Sequence, residues 1–112
     1  MAKLSLIVPV LNEAQKIDGF LTQLQGLSGD WEVIFADGGS TDGTAERIAA
    51  RYPVVHCPKG RARQMNEGAR HAGGQVLLFL HCDSVLPRDL CAQVEEVIRR
   101  GYRFGCFRIR FD

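Results

Sequence analysis

Residues 3–10, KLSLIVPV, form a nearly continuous run of apolar and β-branched side chains. A run of this kind is typical of a strand covered on both faces, so it predicts the central strand of a sheet. A helix is expected to follow from Glu13, with Asn12 as its N-cap and Gly29 just past its end. Its apolar positions recur at helical spacing and are Ile17, Phe20, Leu21, Leu24 and Leu27.

Strand and helix patterns continue to alternate along the rest of the chain. Further strands are predicted at residues 31–36, 54–57, 76–81 and 103–111, and a short helix at residues 44–51. A third helix is expected to bury Met65, Ala69 and Ala72, and a fourth, opened by Pro87, to bury Leu90, Val94, Val97 and Ile98. This order predicts an α/β fold, with a mostly parallel sheet and helices on both faces. Ligands of such folds bind at the carboxyl ends of the strands.

The composition indicates one compact domain without an overall charge bias. The chain has 112 residues, of which 46% are hydrophobic and 24% charged. Lys and Arg number 14 against 13 Asp and Glu, which gives a formal net charge of +1. No overall field attracts nucleic acid or an anionic membrane, so we expect no nucleic-acid partner.

The cysteines and the apolar runs bear on localisation. Cys57, Cys82, Cys91 and Cys106 contain no C-x-x-C pair, and the start of the chain lacks a signal-peptide pattern. We therefore interpret them as reduced thiols in a cytoplasmic protein. Apolar runs such as residues 76–80 are far shorter than the about 20 residues that cross a bilayer. Peripheral docking at the inner membrane is compatible with these features.

The turn after the second strand, residues 37–43 (DGGSTDG), is rich in glycine. The fingerprint G-x-G-x-x-G is absent after the first strand, which disfavours NAD or FAD binding in the usual manner. Asp37 could accept a hydrogen bond from a base imide or a ribose hydroxyl. Equally, Asp37, Ser40 and Asp42 could cap a turn and a helix, and the segment alone favours neither interpretation.

His81 and Asp83 stand two residues apart at the end of the predicted fourth strand. Alternation along a strand would point both side chains to one side and Cys82 to the other. A single carboxylate facing a cleft suits a divalent cation that also binds diphosphate oxygens, because Mg²⁺ takes only one or two protein carboxylates. The competing interpretation is that Asp83 and Ser84 cap the following segment.

Lys59, Arg61 and Arg63 bring three cations to the amino terminus of the predicted third helix. Backbone N–H groups and the helix macrodipole attract anions there, so a phosphate-bearing ligand would be held well. A solvated surface role for Lys59 and Arg61 is the alternative and the default.

Four ordered motifs, each at a predicted strand end, resemble the amino-terminal nucleotide-binding half of family 2 glycosyltransferases with the GT-A fold. They are IVPVLNE at residues 7–13, VIFADGGSTDGT at 33–44, GRARQMNEGA at 60–69 and LFLHCD at 78–83. The motifs GRARQMN and LFLHxD look most like those of a bacterial subgroup of these enzymes whose acceptors are poorly defined. The resemblance covers residues 3–84 and implies a Rossmann-like nucleotide-diphospho-sugar transferase fold.

The resemblance implies a binding site for a nucleotide-diphosphate sugar. Pro9, Asn12 and Glu13 would line the nucleotide pocket. Asp37 would contact the base, and Arg63 would lie close to the nucleotide.

Two further residues match acids of the family's motifs. Asp83 matches the last acid of the D-x-D motif, which binds the divalent cation, Mn²⁺ or Mg²⁺, on the diphosphate. His81 stands in place of the first acid and departs from the pattern, although imidazole can donate or accept one hydrogen bond. Asp42 matches the second acid of the glycine-rich turn, where a loop-fixing role is expected.

The implied function is transfer of a sugar to an unknown acceptor, which could be a glycan, a lipid or a small molecule. Inverting transfer requires a carboxylate that takes the proton of the acceptor hydroxyl. The family carries this base in a second half that residues 84–112 do not reproduce, and no positional argument favours Asp89 or Asp112. We therefore expect residues 1–112 to form a single donor-binding domain that lacks the acceptor half, with no catalytic residue assigned.

Two other functional interpretations stay open at this point. The chain could be a truncated nucleotide-binding or assembly module without transferase activity, or another α/β enzyme such as a methyltransferase. The missing glycine-rich turn after the first strand counts against a methyltransferase. Separately, an apolar sheet edge would recruit a second copy, so a homodimer through the carboxyl-terminal strand is predicted from Phe104, Phe107, Ile109 and Phe111.

Overall fold

The computed structural model describes residues 3–99 and 106–107 of the chain. Strands and helices alternate within these residues, as the sequence predicts. The strands are β1 (Leu4–Val10), β2 (Trp31–Asp37), β3 (Val54–His56), β4 (Val76–Phe79) and β5 (Cys106–Phe107). The helices are α1 (Ala14–Gln25), α2 (Thr44–Ala49), α3 (Arg61–Arg70) and α4 (Leu90–Arg99).

The described strands form one parallel sheet in the order β3-β2-β1-β4-β5. Central β1 pairs with β2 as far as Val10 and Asp37, and with β4 as far as Ile7 and Phe79. The chain runs outward from β1 to β3 and then returns to place β4 on the other side of β1. The topological switch point therefore lies between β1 and β4. The predicted fold class is confirmed.

Helices cover β1 on both faces. Leu6 of β1 packs in the main apolar cluster with Phe20 of α1 and Phe35 of β2, whose rings meet edge to face at 6.0 Å. The next residue, Ile7, points to the opposite face, where α3 packs. Gly68 of α3 lies so near that an added Cβ atom would stand 2.5 Å from Ile7 Cγ2.

The buried face of α3 differs from the prediction. Met65, Ala69 and Ala72 are only half-buried, whereas Gln64 and Gly68 are buried. Glycine has no side chain and lets the helix axis approach the sheet, so the face that carries Gly68 turns inward. In α4 the expected face is observed at Leu90 and Val94, which are buried, and at the half-buried Val97; the side chain of Ile98 lies outside the described part.

Two element ends also differ from the sequence-based expectation. α1 ends at Gln25, well before Gly29. β4 ends at Phe79, so His81 lies beyond the strand. Leu80 still donates its N–H to the carbonyl of Ile7 at 2.9 Å, and the chain then turns away from the sheet.

The carboxyl-terminal strand is described only at Cys106–Phe107, where it pairs in parallel with Leu77 and Leu78 of β4. The remainder of the strand predicted over residues 103–111 lies outside the described residues. So do the side chains on which the predicted homodimer depends, and that homodimer stays a prediction. Within residues 3–99 and 106–107, no helix is long and apolar enough to cross a membrane.

Candidate functional site

A cleft of about 280 Å³ opens at the carboxyl end of the sheet, between the segments that follow β1 and β4. It lies at the topological switch point, where ligands of open α/β sheets bind. We call it the switch-point cleft. Its lining residues are Pro9, Val10, Leu11, Glu13, Lys16, Arg61, Gln64, His81, Cys82 and Asp83.

The cleft brings together four of the residues that the sequence singled out. Pro9, Glu13, His81 and Asp83 all line it. Asn12, Asp37 and Arg63 do not belong to its lining. The exposed Arg63 side chain lies two positions along α3 from Arg61, on a different face of the helix, and Arg61 does line the cleft. The sequence predicted a nucleotide contact for Arg63 and, by default, a surface role for Arg61. The structure places Arg61 in the cleft.

Asp37 is a buried carboxylate at the end of β2, only 2% exposed. Its Oδ2 accepts hydrogen bonds from the N–H groups of Gly39 and Ser40, both at 3.0 Å. Its Oδ1 is buried and has no hydrogen-bond partner. Buried polar atoms are normally paired, so an unpaired acceptor here fits a ligand that donates a hydrogen bond. Asp37 thus caps the turn with one oxygen and leaves the other available.

The loop over residues 38–43 also caps the start of α1, and this corrects the expected role of Asn12. Asn12 has a φ of 52° and forms no N-cap; its side-chain Oδ1 accepts the N–H of Thr41 at 2.8 Å. The first amides of α1 are instead bound from across the sheet. Ala14 N–H donates to Asp42 Oδ2 at 3.1 Å, and Glu13 N–H donates to Thr44 Oγ1 at 2.9 Å.

Asp42 is the centre of this capping arrangement, as the loop-fixing role expected for it requires. Its Oδ1 accepts the hydroxyl and the N–H of Thr44, at 2.5 and 3.1 Å, while Oδ2 binds Ala14. These donors, the Thr44 hydroxyl first, hold the pKa of Asp42 below its ordinary value. The loop and the amino terminus of α1 are consequently joined into one unit.

Gln64 forms the floor of the cleft and is a site residue that sequence reasoning missed. Its Nε2 donates to the carbonyls of Val10 and Ala36, both at 2.9 Å, and so joins the ends of β1 and β2. Its Oε1 accepts the N–H of Gly60 at 3.3 Å, which fixes the start of α3. The available signal was the spacing to Gly68, because two residues four apart share one face of a helix.

The segment after β4 forms a turn, and this corrects the expected direction of Cys82. Ser84 N–H donates to the carbonyl of His81 at 3.0 Å, and His81 N–H donates to Ser84 Oγ at 3.2 Å. Strand alternation has ended at this point, so His81, Cys82 and Asp83 all line the cleft. Ser84 bonds back into the turn and does not cap the next helix.

The Cys82 thiol donates a hydrogen bond to Glu13 Oε2. Burial and the neighbouring Glu13 carboxylate raise the pKa of Cys82 to about 12. Because the thiolate is the reactive form of cysteine, Cys82 is not a nucleophile at neutral pH. Its role is to bind one oxygen of Glu13.

Two cations face the acidic residues of the cleft. Arg61 Nη2 contacts His81 Nε2, and because guanidinium carries only donors, this ring nitrogen accepts. Lys16 Nζ lies 3.8 Å from Asp83 Oδ2. Sequence reasoning did not single out Lys16, which stands among polar residues at the start of a helix without a motif to mark it.

The residues of the cleft fit a divalent cation that is bound together with a phosphate-bearing ligand. No group of three or more His, Cys, Asp or Glu residues within residues 3–99 and 106–107 could hold a metal ion by itself. Asp83, however, presents a carboxylate that is 61% exposed at the cleft. Mg²⁺ commonly binds through one or two carboxylates while phosphate oxygens and water complete its shell. Asp83 fits that mode, with the ligand supplying the phosphate.

A parallel α/β sheet with a polar cleft at its switch point defines the class of Rossmann-like nucleotide-binding folds. The sequence profile of glycosyl transferase family 2 matches residues 5–112. The chain therefore belongs to family 2 of the glycosyltransferases.

Relatives of known sequence agree with this family. An uncharacterized glycosyltransferase of Bacillus subtilis, YfnE, is 33% identical over an alignment of 100 residues, and the match covers 81% of this chain and 26% of the relative. A PGL/p-HBAD biosynthesis glycosyltransferase of Mycobacterium tuberculosis is 34% identical over 104 residues, covering 84% of this chain and 41% of the relative. The chain thus spans between about a quarter and two-fifths of the length of these relatives.

Solved structures show the same fold. The mannosyltransferase PcManGT of Pyrobaculum calidifontis, in complex with GDP-Man and Mn²⁺, superposes with a TM-score of 0.72 at 28% identity. That match covers 85% of this chain and 32% of PcManGT. TarS 1–349 of S. aureus superposes with a TM-score of 0.72 at 23% identity, over 88% of this chain and 32% of TarS. The GT-A fold that the sequence predicted is confirmed.

Proposed function

We propose that this chain binds a nucleotide-diphosphate sugar and supplies the donor site of a glycosyltransferase. The observation that carries the proposal is an exposed Asp83 carboxylate in one cleft with Glu13, Lys16 and Arg61, at the switch point of the sheet. Two neighbours support it, since PcManGT is in complex with GDP-Man and Mn²⁺ and TarS in complex with UDP. The acceptor is a glycan, a lipid or a small molecule.

Residues in and beside the cleft have the following parts in this proposal. Asp37 accepts a hydrogen bond from the base with its free Oδ1, because no protein donor reaches that atom. Arg61 binds diphosphate oxygens, and its contact with His81 holds the guanidinium over the cleft. Asp83 holds a divalent cation, Mn²⁺ or Mg²⁺. A bound divalent cation neutralises the charge that develops on the leaving diphosphate.

Transfer with inversion further requires a base for the acceptor hydroxyl. Asp89 does not line the cleft, and its Oδ1 accepts Gln93 Nε2 at 2.9 Å. Asp112 lies outside the described residues. We therefore assign the base to neither, and propose that it belongs to the part of the enzyme that pairs with this donor site.

The finer classification is part of the proposal as well. The GRARQMN segment at residues 60–66 contains both Arg61 and Gln64, and the LFLHxD segment contains His81 and Asp83. Because five cleft residues fall in these two segments, Cys82 included, we propose a bacterial subgroup of the family that carries them. We further propose a cytoplasmic enzyme, peripheral at the inner membrane when its acceptor is a lipid.

A binding or assembly module without transferase activity is the second candidate. It is favoured by the observation that no base for the acceptor hydroxyl is assigned among the described residues. The two candidates share the donor site and differ in turnover.

Calorimetric titration with UDP, GDP and dTDP, each with EDTA and with Mn²⁺, tests the donor site. We expect one nucleotide to bind more tightly with Mn²⁺, and Asp83→Asn to abolish that enhancement. Asp89→Asn, an acid-to-amide change outside the cleft, is the matched control and should retain it. If Mn²⁺ raises the nucleotide affinity of Asp83→Asn as much as that of the wild type, the assignment of the cation to Asp83 is refuted. Sugar release from the matching sugar nucleotide, above the level of Asp83→Asn, would exclude the inactive module.

A further inference from the structure

Lys16 lines the switch-point cleft, but no motif marks it and the donor-site proposal gives it no part in binding the ligand. We propose that Lys16 and the divalent cation bind the Asp83 carboxylate alternately, so that each displaces the other. Without the cation, the ammonium neutralises the Asp83 carboxylate. When the cation binds Asp83, Lys16 leaves and binds the diphosphate of the nucleotide. This inference rests on the proposed function, because it concerns the ligand of that site.

The contact between Lys16 and Asp83 is suited to exchange. The two atoms lie 3.8 Å apart, which is longer than a hydrogen bond, and the side chains are 60% and 61% exposed. An exposed pair of this kind contributes little to stability, so it opens at little cost. The four-carbon stem of lysine lets the ammonium move to a new partner without any change in α1.

The position of Lys16 favours an anionic ligand over solvent. Lys16 lies in the first turn of α1, at the positive end of the helix macrodipole. No acidic residue lies in this first turn. The amides of Glu13 and Ala14 are already bound by Thr44 and Asp42. Backbone donors at this helix end are therefore occupied, and a side chain has to supply the cationic contact.

The charges of the cleft lead to the same conclusion. Among the Lys, Arg, Asp and Glu side chains that line the cleft, Lys16 and Arg61 balance Glu13 and Asp83. A diphosphate is multiply anionic and gains little from a cleft whose charges cancel. A divalent cation on Asp83 makes the same cleft cationic and at once frees Lys16. Metal and nucleotide should therefore bind with positive coupling, part of which passes through Lys16.

The test variant is Lys16→Met, which removes the charge and keeps the length of the side chain. We expect it to weaken the binding of nucleotide and to strengthen the binding of Mn²⁺. In EDTA, the variant should bind the preferred nucleotide about two- to fivefold more weakly. In a Mn²⁺ titration without nucleotide, its half-saturating Mn²⁺ concentration should fall by a similar factor, because the competitor at Asp83 is gone. Lys16→Arg should behave as the wild type in both measurements.

Arg51→Met is the matched control, since it removes the same charge from an exposed residue outside the cleft. Loss of a distant positive charge weakens anion binding and favours cation binding, so Arg51→Met should shift both quantities in the senses expected for Lys16→Met, but by much less. Only the excess of Lys16→Met over Arg51→Met measures the exchange. If Lys16→Met leaves both quantities unchanged, or shifts both in the same direction, the exchange is refuted while the donor site stands. If the wild type binds no nucleotide with or without Mn²⁺, the exchange and the proposed function are refuted together. A second variant, Lys16→Gln, must give the same result as Lys16→Met.

Discussion

Replacing Gln64 by leucine should destabilise the fold more than any other single change at the cleft floor. The glutamine donates to the carbonyls of Val10 and Ala36, at 2.9 Å each, and accepts the N–H of Gly60 at 3.3 Å. Leucine fills a similar volume but can make none of these bonds. The variant therefore tests the polar role of the side chain and leaves its packing nearly intact.

The expected magnitude follows from the three hydrogen bonds that the variant loses. A buried polar group that loses its hydrogen bond costs about 1–3 kcal/mol. Ala36 is fully buried, so water does not replace the bond that its carbonyl loses. The carbonyl of Val10 keeps the N–H of Gly38 at 3.1 Å and loses one of two partners. We expect the free energy of unfolding to fall by about 2–4 kcal/mol, a large share of the roughly 5–15 kcal/mol of a typical domain.

Urea denaturation followed by circular dichroism measures this change through the midpoint at constant slope. Gln25→Leu, on the exposed end of α1, is the matched control and should stay within about 0.5 kcal/mol of the wild type. A loss below about 1 kcal/mol in Gln64→Leu would refute the reasoning, because it would mean that the strand ends need no donor from α3. Nucleotide affinity should fall with stability, since the start of α3 carries Arg61.

Two further predictions concern packing and pH. Gly68→Ala should cost about 1–3 kcal/mol, because its methyl group would meet a β1 side chain at 2.5 Å, whereas Gly19→Ala, with open space around it, should raise the urea midpoint. The Ser5 hydroxyl, followed by backbone amides, holds the pKa of Glu32 below its ordinary value of 4.5. Folding therefore favours the ionised carboxylate, and this stability is fully present above about pH 4.5 and lost as the pH falls through the lowered pKa. Unfolding free energies measured across that range should decline less steeply in Glu32→Gln; an equal decline would contradict the assignment.

The fold was predictable because its signals are local. The apolar run at residues 3–10 and the alternation that follows it predicted the sheet, and the strand ends predicted where the cleft would open. The same reasoning placed Glu13 and Asp83 near each other, since the carboxyl ends of neighbouring parallel strands share one edge. These inferences need only the period of side chains along each element.

The misassigned residues depend on contacts between distant segments. Asn12 has the chemistry of an N-cap, but the donors of α1 are bound by Asp42 and Thr44, about 30 positions later in the chain. Gln64 is polar and yet buried, because the carbonyls that it pairs belong to two different strands. Cys82 turns toward the cleft because β4 ends at Phe79, earlier than the apolar residues of this segment predict. No one-dimensional pattern contains these partners.

The capping loop has a consequence for how the proposed donor site would work. The loop over residues 38–43 is fixed to Asp37 at one end and, through Asp42, to the start of α1. The base subsite at Asp37 and the helix that carries Lys16 are therefore held at a constant separation. The turn that carries Asp83 comes from the other side of the switch point. It is joined to α1 by Gln23, which bonds Ser84 and Leu86 at 2.9 and 2.6 Å, and by the thiol bond to Glu13. A ligand that bridges the two sides would therefore meet two joined segments, and at the diphosphate end it would need to break only the exposed pair of Lys16 and Asp83.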